Sequence, residues 1–158
     1  MPPTLVLLLA FLIGVVSGLR SLTAPAIVAW AAHRGWIQLN DARLRFLGST
    51  AAVVVFTLFA LVELVADQLP SAPSRTAPPG LIARIVLGAL SGAAIAVSGT
   101  QSIAFGAVLG AAGGIVGAFA GYQVRTRLVK ALKVPDFVIA TLEDAVAIGA
   151  GFFMVSRF

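Results

Sequence analysis

Two pairs of carboxylates stand inside apolar runs of this chain, Glu63 with Asp67 and Glu143 with Asp144. An ionisable group near the centre of a membrane helix costs about 2.5 kcal/mol or more, so each one needs a partner or a task. Glu63 and Asp67 are four residues apart, which puts them on one helix face with Glu63 a turn deeper. They read either as proton- or cation-binding groups facing a bundle interior, or as groups that cap and snorkel at a helix end. Glu143 and Asp144 are neighbours. Two adjacent carboxylates in apolar surroundings do not ionise together easily, so one of them is expected to hold its proton at neutral pH. Glu143, Ala147 and Gly151 follow one another at four-residue spacing, and small residues beneath an acid suggest close helix approach or a wet cavity. The plainer alternative is an ion pair with an arginine that orients the bundle. These four acids are the candidate ion- or proton-binding residues.

The cations come next. Arg20 lies about 24 Å along a straight helix from Thr4, in the far third of a hydrocarbon core about 30 Å thick. Its guanidinium stays charged and must find water or an acid, so it is expected to face inward, within reach of Glu63, Glu143 or Asp144. The alternative is outward snorkelling to phosphate. Directly after the first acidic helix end, Ser74, Arg75 and Thr76 place two hydroxyls beside a guanidinium, a grouping suited to a carboxylate or phosphate. Arg84 and Arg125 complete the candidate anion- or headgroup-binding set. The bland reading of the loop is a linker whose arginines follow the positive-inside rule. No catalytic residues, metal site or cofactor site can be assembled from these residue types, and a lipid-phosphate-handling enzyme remains only an alternative.

The elements that must hold these side chains follow from composition. Of 158 residues, 59% are hydrophobic and 11% charged, which excludes a soluble globular domain and intrinsic disorder. Mean hydropathy is +1.03. There is no cysteine and one histidine, so disulfides and thiolate or histidine-rich metal cages are excluded. The net charge of +5 is spread between apolar runs, which suits anionic headgroups and not nucleic acid.

The expected fold is all-α, a polytopic transmembrane bundle of about five spans near 4–32, 45–66, 80–97, 103–121 and 137–156. No basic residue precedes the first apolar run, so it reads as a retained span and not a secretory signal. That run is too long for one span, and Gly18, Arg20, Ser21, Thr23 and Pro25 mark a broken or kinked helix. Whether 19–33 spans, re-enters or lies at the interface stays open. Residues 122–133 extend the fourth helix amphipathically at the headgroup level.

Glycines at four-residue spacing, Gly88 and Gly92, then Gly106, Gly110 and Gly114, then Gly113, Gly117 and Gly121, are packing faces. Two such faces on one helix make it central, and they favour a homo-oligomer. Gly14 and Gly18 match Gly113 and Gly117, so the single domain 1–158 divides into repeat halves 1–67 and 103–158, joined by the loop 68–79 and the helix 80–97. With one helix between the halves, the repeat is expected to be inverted in topology. The basic residues place the N-terminus in the cytoplasm by a small margin.

Several of these motifs together resemble a bacterial membrane-protein family, domain-of-unknown-function family 4126. They are Glu63, Asp67 and Pro70 with Pro73, Arg75 and Thr76; Gly18 and Arg20 with Pro25; Ala31 and His33; Gly121 and Tyr122 with Arg125; and Pro135 and Asp136 with Glu143 and Asp144. Gln68 departs from the family's lysine. The resemblance implies a multi-pass protein of the bacterial inner membrane with a shared polar constellation, and no activity. The expected function is a small transporter or channel-like protein. Its acids would bind a proton or cation and its arginines an anionic solute or lipid headgroup, with a membrane scaffold as a further alternative.

Overall fold

The computed structural model describes residues 1–67 and 76–158. Among the described residues there are six α-helices: α1 (Pro3–Leu19), α2 (Thr23–His33), α3 (Thr50–Ala66), α4 (Pro78–Ser98), α5 (Ile103–Leu132) and α6 (Asp136–Val155). No strand occurs among the described residues. Of these helices, α4, α5 and α6 are long and apolar enough to cross a membrane, and α1 and α3 are shorter apolar helices of 17 residues. The chain is an all-helical membrane bundle.

Local chemistry sets the helix limits. Pro3 opens α1 at a position where a missing N–H costs nothing. The helix stops at Arg20, whose backbone is extended (φ −139°, ψ 109°). Pro25 falls in the first turn of α2, so it opens a helix and does not kink one; the break lies just before it, at Arg20. Gly35, at φ 76°, lets the Trp36 N–H fold back to the Ala31 carbonyl and close α2. Ser49 caps α3 by accepting a hydrogen bond from Ala52 N at 3.1 Å. The amphipathic extension of α5 ends at Lys133, in the left-handed region (φ 51°), two residues before Pro135.

The first segment is a hairpin, in which α2 turns back after the break at Arg20. Ser21 and Leu22 meet Glu63, Trp30 meets Thr57, and His33 meets Gly48, so α2 runs antiparallel to α3. Gln38 N then reaches Ser98 Oγ at 3.2 Å, at the end of α4 where Gly99 lies against Val6 of α1. α2 therefore returns to the side where α1 began. α6 runs alongside α2, with Asp144 at Arg20 and Gly151 at Ile27, so both termini lie at that end. The basic end of α5 lies at the other.

The core is a three-helix bundle in which α1, α4 and α5 each pack against the other two. A Cβ at Gly110 would stand 2.1 Å from Gly88 O, and one at Gly106 2.6 Å from Gly92 O, so α4 and α5 touch backbone to backbone. On the other face a Cβ at Gly113 would stand 2.1 Å from Phe11 O, and one at Gly117 2.3 Å from Val15 O. Gly114 backs onto the Arg84 carbonyl, and Gly121 is buried. The glycine faces are thus used inside the chain, which removes the reason they offered for a homo-oligomer. The matched glycines do meet, but Gly14 stands at Gly110 and Gly113 while Gly18 stands at Gly114 and Gly117. That register makes α1 and α5 parallel, so the halves 1–67 and 103–158 are not related by the inversion expected of them.

Candidate functional site

The extended backbone at Arg20 swings its side chain out of the α1 path and into the space between α3, α4 and α6. The guanidinium is fully buried. Its Nε donates to Asp144 Oδ1 and its Nη1 to Asp67 Oδ2, both in short ion pairs. One arginine thereby ties the α1–α2 turn to α3 and α6. Its inward orientation and the Asp144 partner follow the sequence expectation. Asp67, at the C-cap of α3, is a partner that sequence reasoning left at a helix end.

Glu63 takes a different position. Its carboxylate accepts hydrogen bonds from the backbone N–H groups of Ser21 and Leu22, each at 2.8 Å, and from Ser21 Oγ at 2.5 Å. These N–H groups sit at the N-terminal end of α2, where orphan donors and the helix dipole favour a negative charge. Ser17 Oγ shares its proton between Ser21 O at 3.2 Å and Arg84 O at 3.3 Å, joining the turn to α4.

Arg84 closes the cluster from α4. Its Nε donates to Gly18 O at 3.1 Å and its Nη1 to Gly80 O at 3.0 Å. Its Nη2 lies 3.9 Å from Glu63 Oε1 and 4.0 Å from Asp67 Oδ2. The site lies about 9 Å from the start of α4 (Pro78) and about 12 Å from the start of α6 (Asp136), well inside both helices. Arg84 is buried there.

Glu143 and Asp144 do not share a site. Successive residues on a helix point about 100° apart, and here each meets its own cation. Asp144 faces Arg20, whereas Glu143 Oε2 lies 3.7 Å from Arg125 Nη1. Arg125 also makes a two-pronged pair with Asp136, its Nε at 2.9 Å from Oδ1 and its Nη2 on Oδ2. Of the two alternatives for the small residues beneath Glu143, close helix approach is the one found: Ala147 and Gly151 are buried, and a Cβ at Gly151 would meet Ile27 Cδ1 of α2 at 2.4 Å.

Beside this second pair, α5 and α6 diverge around a sideways-opening apolar groove of about 300 Å³. Leu19, Val124, Leu142 and Val146 line it, with Arg125 and Glu143. Of the loop residues expected to bind anions, Ser74 and Arg75 lie outside the described residues, and Thr76 precedes α4. The donors that sequence reasoning missed are the Ser21 and Leu22 N–H groups, for which the hydroxyl-rich break facing an acidic helix was the available signal.

A helical bundle that keeps two arginines and three carboxylates together beneath an apolar exterior is a polytopic membrane protein organised around a buried charge cluster. The chain belongs to the family described as Domain of unknown function (DUF4126), whose model matches residues 7–156. No curated protein and no solved structure matches it.

Proposed function

We propose that this protein is a small proton-coupled transporter of the bacterial inner membrane. The observation that carries the reading is Arg20, wholly buried at a helix break and held by Asp67 of α3 and Asp144 of α6. A charge network in a membrane is costly to keep for architecture alone. Proton uptake on one aspartate would release the guanidinium from that helix, which gives a bundle two arrangements separated by one protonation. Asp67, Asp144 and Glu63 are the proton-accepting set, while Arg20 and Arg84 offer positive charge to an anionic solute. A bare cation would have to compete with Arg20 for the same oxygens, so the proton is the favoured ion. Placing the basic end of α5 in the cytoplasm, by the positive-inside rule, puts both termini on the opposite side.

The groove between α5 and α6 supports a second reading, the handling of a lipid or other amphiphile entering sideways with its head at Arg125 and Glu143. Proton flux into proteoliposomes separates the two. Asp144→Asn abolishes flux on the transporter reading and leaves it unchanged on the lipid reading.

A further inference from the structure

Glu63 does at the α1–α2 turn what a bound anion would do. One carboxylate oxygen receives the Leu22 N–H at 2.8 Å, and the other receives the Ser21 N–H at 2.8 Å and the Ser21 hydroxyl at 2.5 Å. The N-terminus of a broken membrane helix is where anionic groups of a transported solute are held. A helix end alone marks no ligand site, but a second observation accompanies this one. Arg20 is fully buried, and its Nη2 has no hydrogen-bond partner among the described residues. Nη2 shares its carbon with Nη1, which lies on Asp67 Oδ2; that oxygen is 4.0 Å from Arg84 Nη2, itself 3.9 Å from Glu63 Oε1. The orphan donor therefore belongs to the same cluster as the Glu63 carboxylate. Thr23 Oγ1, in the first turn of α2, is likewise buried without a partner among the described residues.

We infer that the α1–α2 turn is a carboxylate-binding site, occupied by Glu63 as an internal stand-in and open to a small monocarboxylate solute when Glu63 leaves. The inference rests on the transport reading and names its substrate class. Two oxygens in one plane on successive backbone N–H groups fit a carboxylate. A halide offers one centre for that pair of donors. Inorganic phosphate brings further charge and a further oxygen beside Asp67 and Asp144.

The charged groups around Glu63 are Asp67 on its own helix, Arg20 from the α1–α2 turn, Arg84 from α4 and Asp144 from α6, with Arg125 and Glu143 in the neighbouring pair. A proton taken by Glu63 removes the negative charge that holds it at the turn, and the solute carboxylate restores that charge. One proton and one anion then enter the site together, which couples their movement in the same direction.

The test is thermal unfolding of the full chain in detergent near pH ~7, with sodium acetate as the probe. In Glu63→Ala, acetate at about a hundredfold excess over its dissociation constant is expected to raise Tm by about 5 °C. Wild type, already holding a carboxylate, is expected not to respond. Sodium chloride and inorganic phosphate at matched ionic strength are expected to leave both unchanged. Glu63→Gln keeps the side-chain volume and serves as the readout if the alanine variant does not fold; its acetate shift is expected to exceed that of wild type. No acetate shift in either variant, or an equal shift with chloride or phosphate, overturns the inference. An acetate shift without proton flux in proteoliposomes would refute the transport reading and leave the site standing. Proton flux without an acetate shift would do the reverse.

Discussion

Arg20 and Asp144 are 124 residues apart in sequence and meet as a buried ion pair, with Asp67 on the other arm of the same guanidinium. Breaking a buried pair by removing one partner costs about 3–5 kcal/mol, because the remaining charge stays buried without compensation. The side chain of Asp144 is 11% exposed and that of Asp67 22%. Asp144→Asn is therefore expected to lower Tm more than Asp67→Asn, and Arg20→Gln more than either. The double variant Arg20→Gln with Asp144→Asn is expected to lose less than the sum of its parts, the mark of direct coupling. Thermal unfolding in detergent reads all four, and strict additivity would contradict the pairing.

The glycine contacts make an independent set of outcomes. At Gly113 and Gly14 a Cβ would stand 2.1 Å and 2.2 Å from backbone oxygens of the facing helix. Neither neighbour is a side chain that can rotate away, so Gly113→Ala and Gly14→Ala are expected to push α1 and α5 apart and destabilise the fold. Gly149 has nothing within 4 Å of such a Cβ. Gly149→Ala is expected to be neutral or to gain up to about 1 kcal/mol from helix propensity. Comparing folded yield and Tm of the three variants checks this.

Glu143 is expected to behave unlike its neighbour. It faces Arg125 on the groove side, and the Asp136 carboxylate that shares this arginine is 61% exposed. Arg125 keeps its two-pronged pair with Asp136 when Glu143 is changed, so its guanidinium is not left without a partner. Glu143→Gln is expected to leave proton flux near the wild-type level while Asp144→Asn abolishes it. Equal effects of the two would mean that the adjacent acids act as one site.

How much of this was readable beforehand depends on what each residue's type reports. A glycine, an arginine, two hydroxyls and a proline between 18 and 25 announce a break, and the break is there. Its direction was not readable, because a hydropathy window carries no sign and α2, at 11 residues, is too short to register as a separate span. Pro25 compounded this, since a proline that opens a helix and one that kinks it look alike in sequence. The glycine spacing disclosed both packing faces of α5 because backbone contact admits little else. Asp67 was less visible as a partner of Arg20: it ends an apolar run, where an acid reads as solvated. Adjacency suggested a shared site for Glu143 and Asp144, and the helical rotation between them undid it.

The loop between α2 and α3 supplies a control on pH. The Asp41 side chain is 24% exposed, and hydrogen bonds from the side chain and backbone N–H of Arg43 hold its carboxyl down at about 2. A folded value below the ordinary one means that its contribution is complete above about pH 4 and is lost as pH falls toward 2. Asp41→Asn is therefore expected to leave any pH dependence of flux between about pH 5 and 8 unaltered, as a dye assay in proteoliposomes would show.

The central claim is that the cluster around Arg20 moves protons. Its most direct test is proton entry into proteoliposomes down an imposed pH gradient, followed with a trapped pH-sensitive dye for wild type, Asp144→Asn and Glu63→Gln at matched protein incorporation. The account predicts flux in wild type that exceeds protein-free vesicles and falls by about tenfold or more in both variants. Wild-type flux no faster than protein-free vesicles, or undiminished flux in both variants, would contradict it.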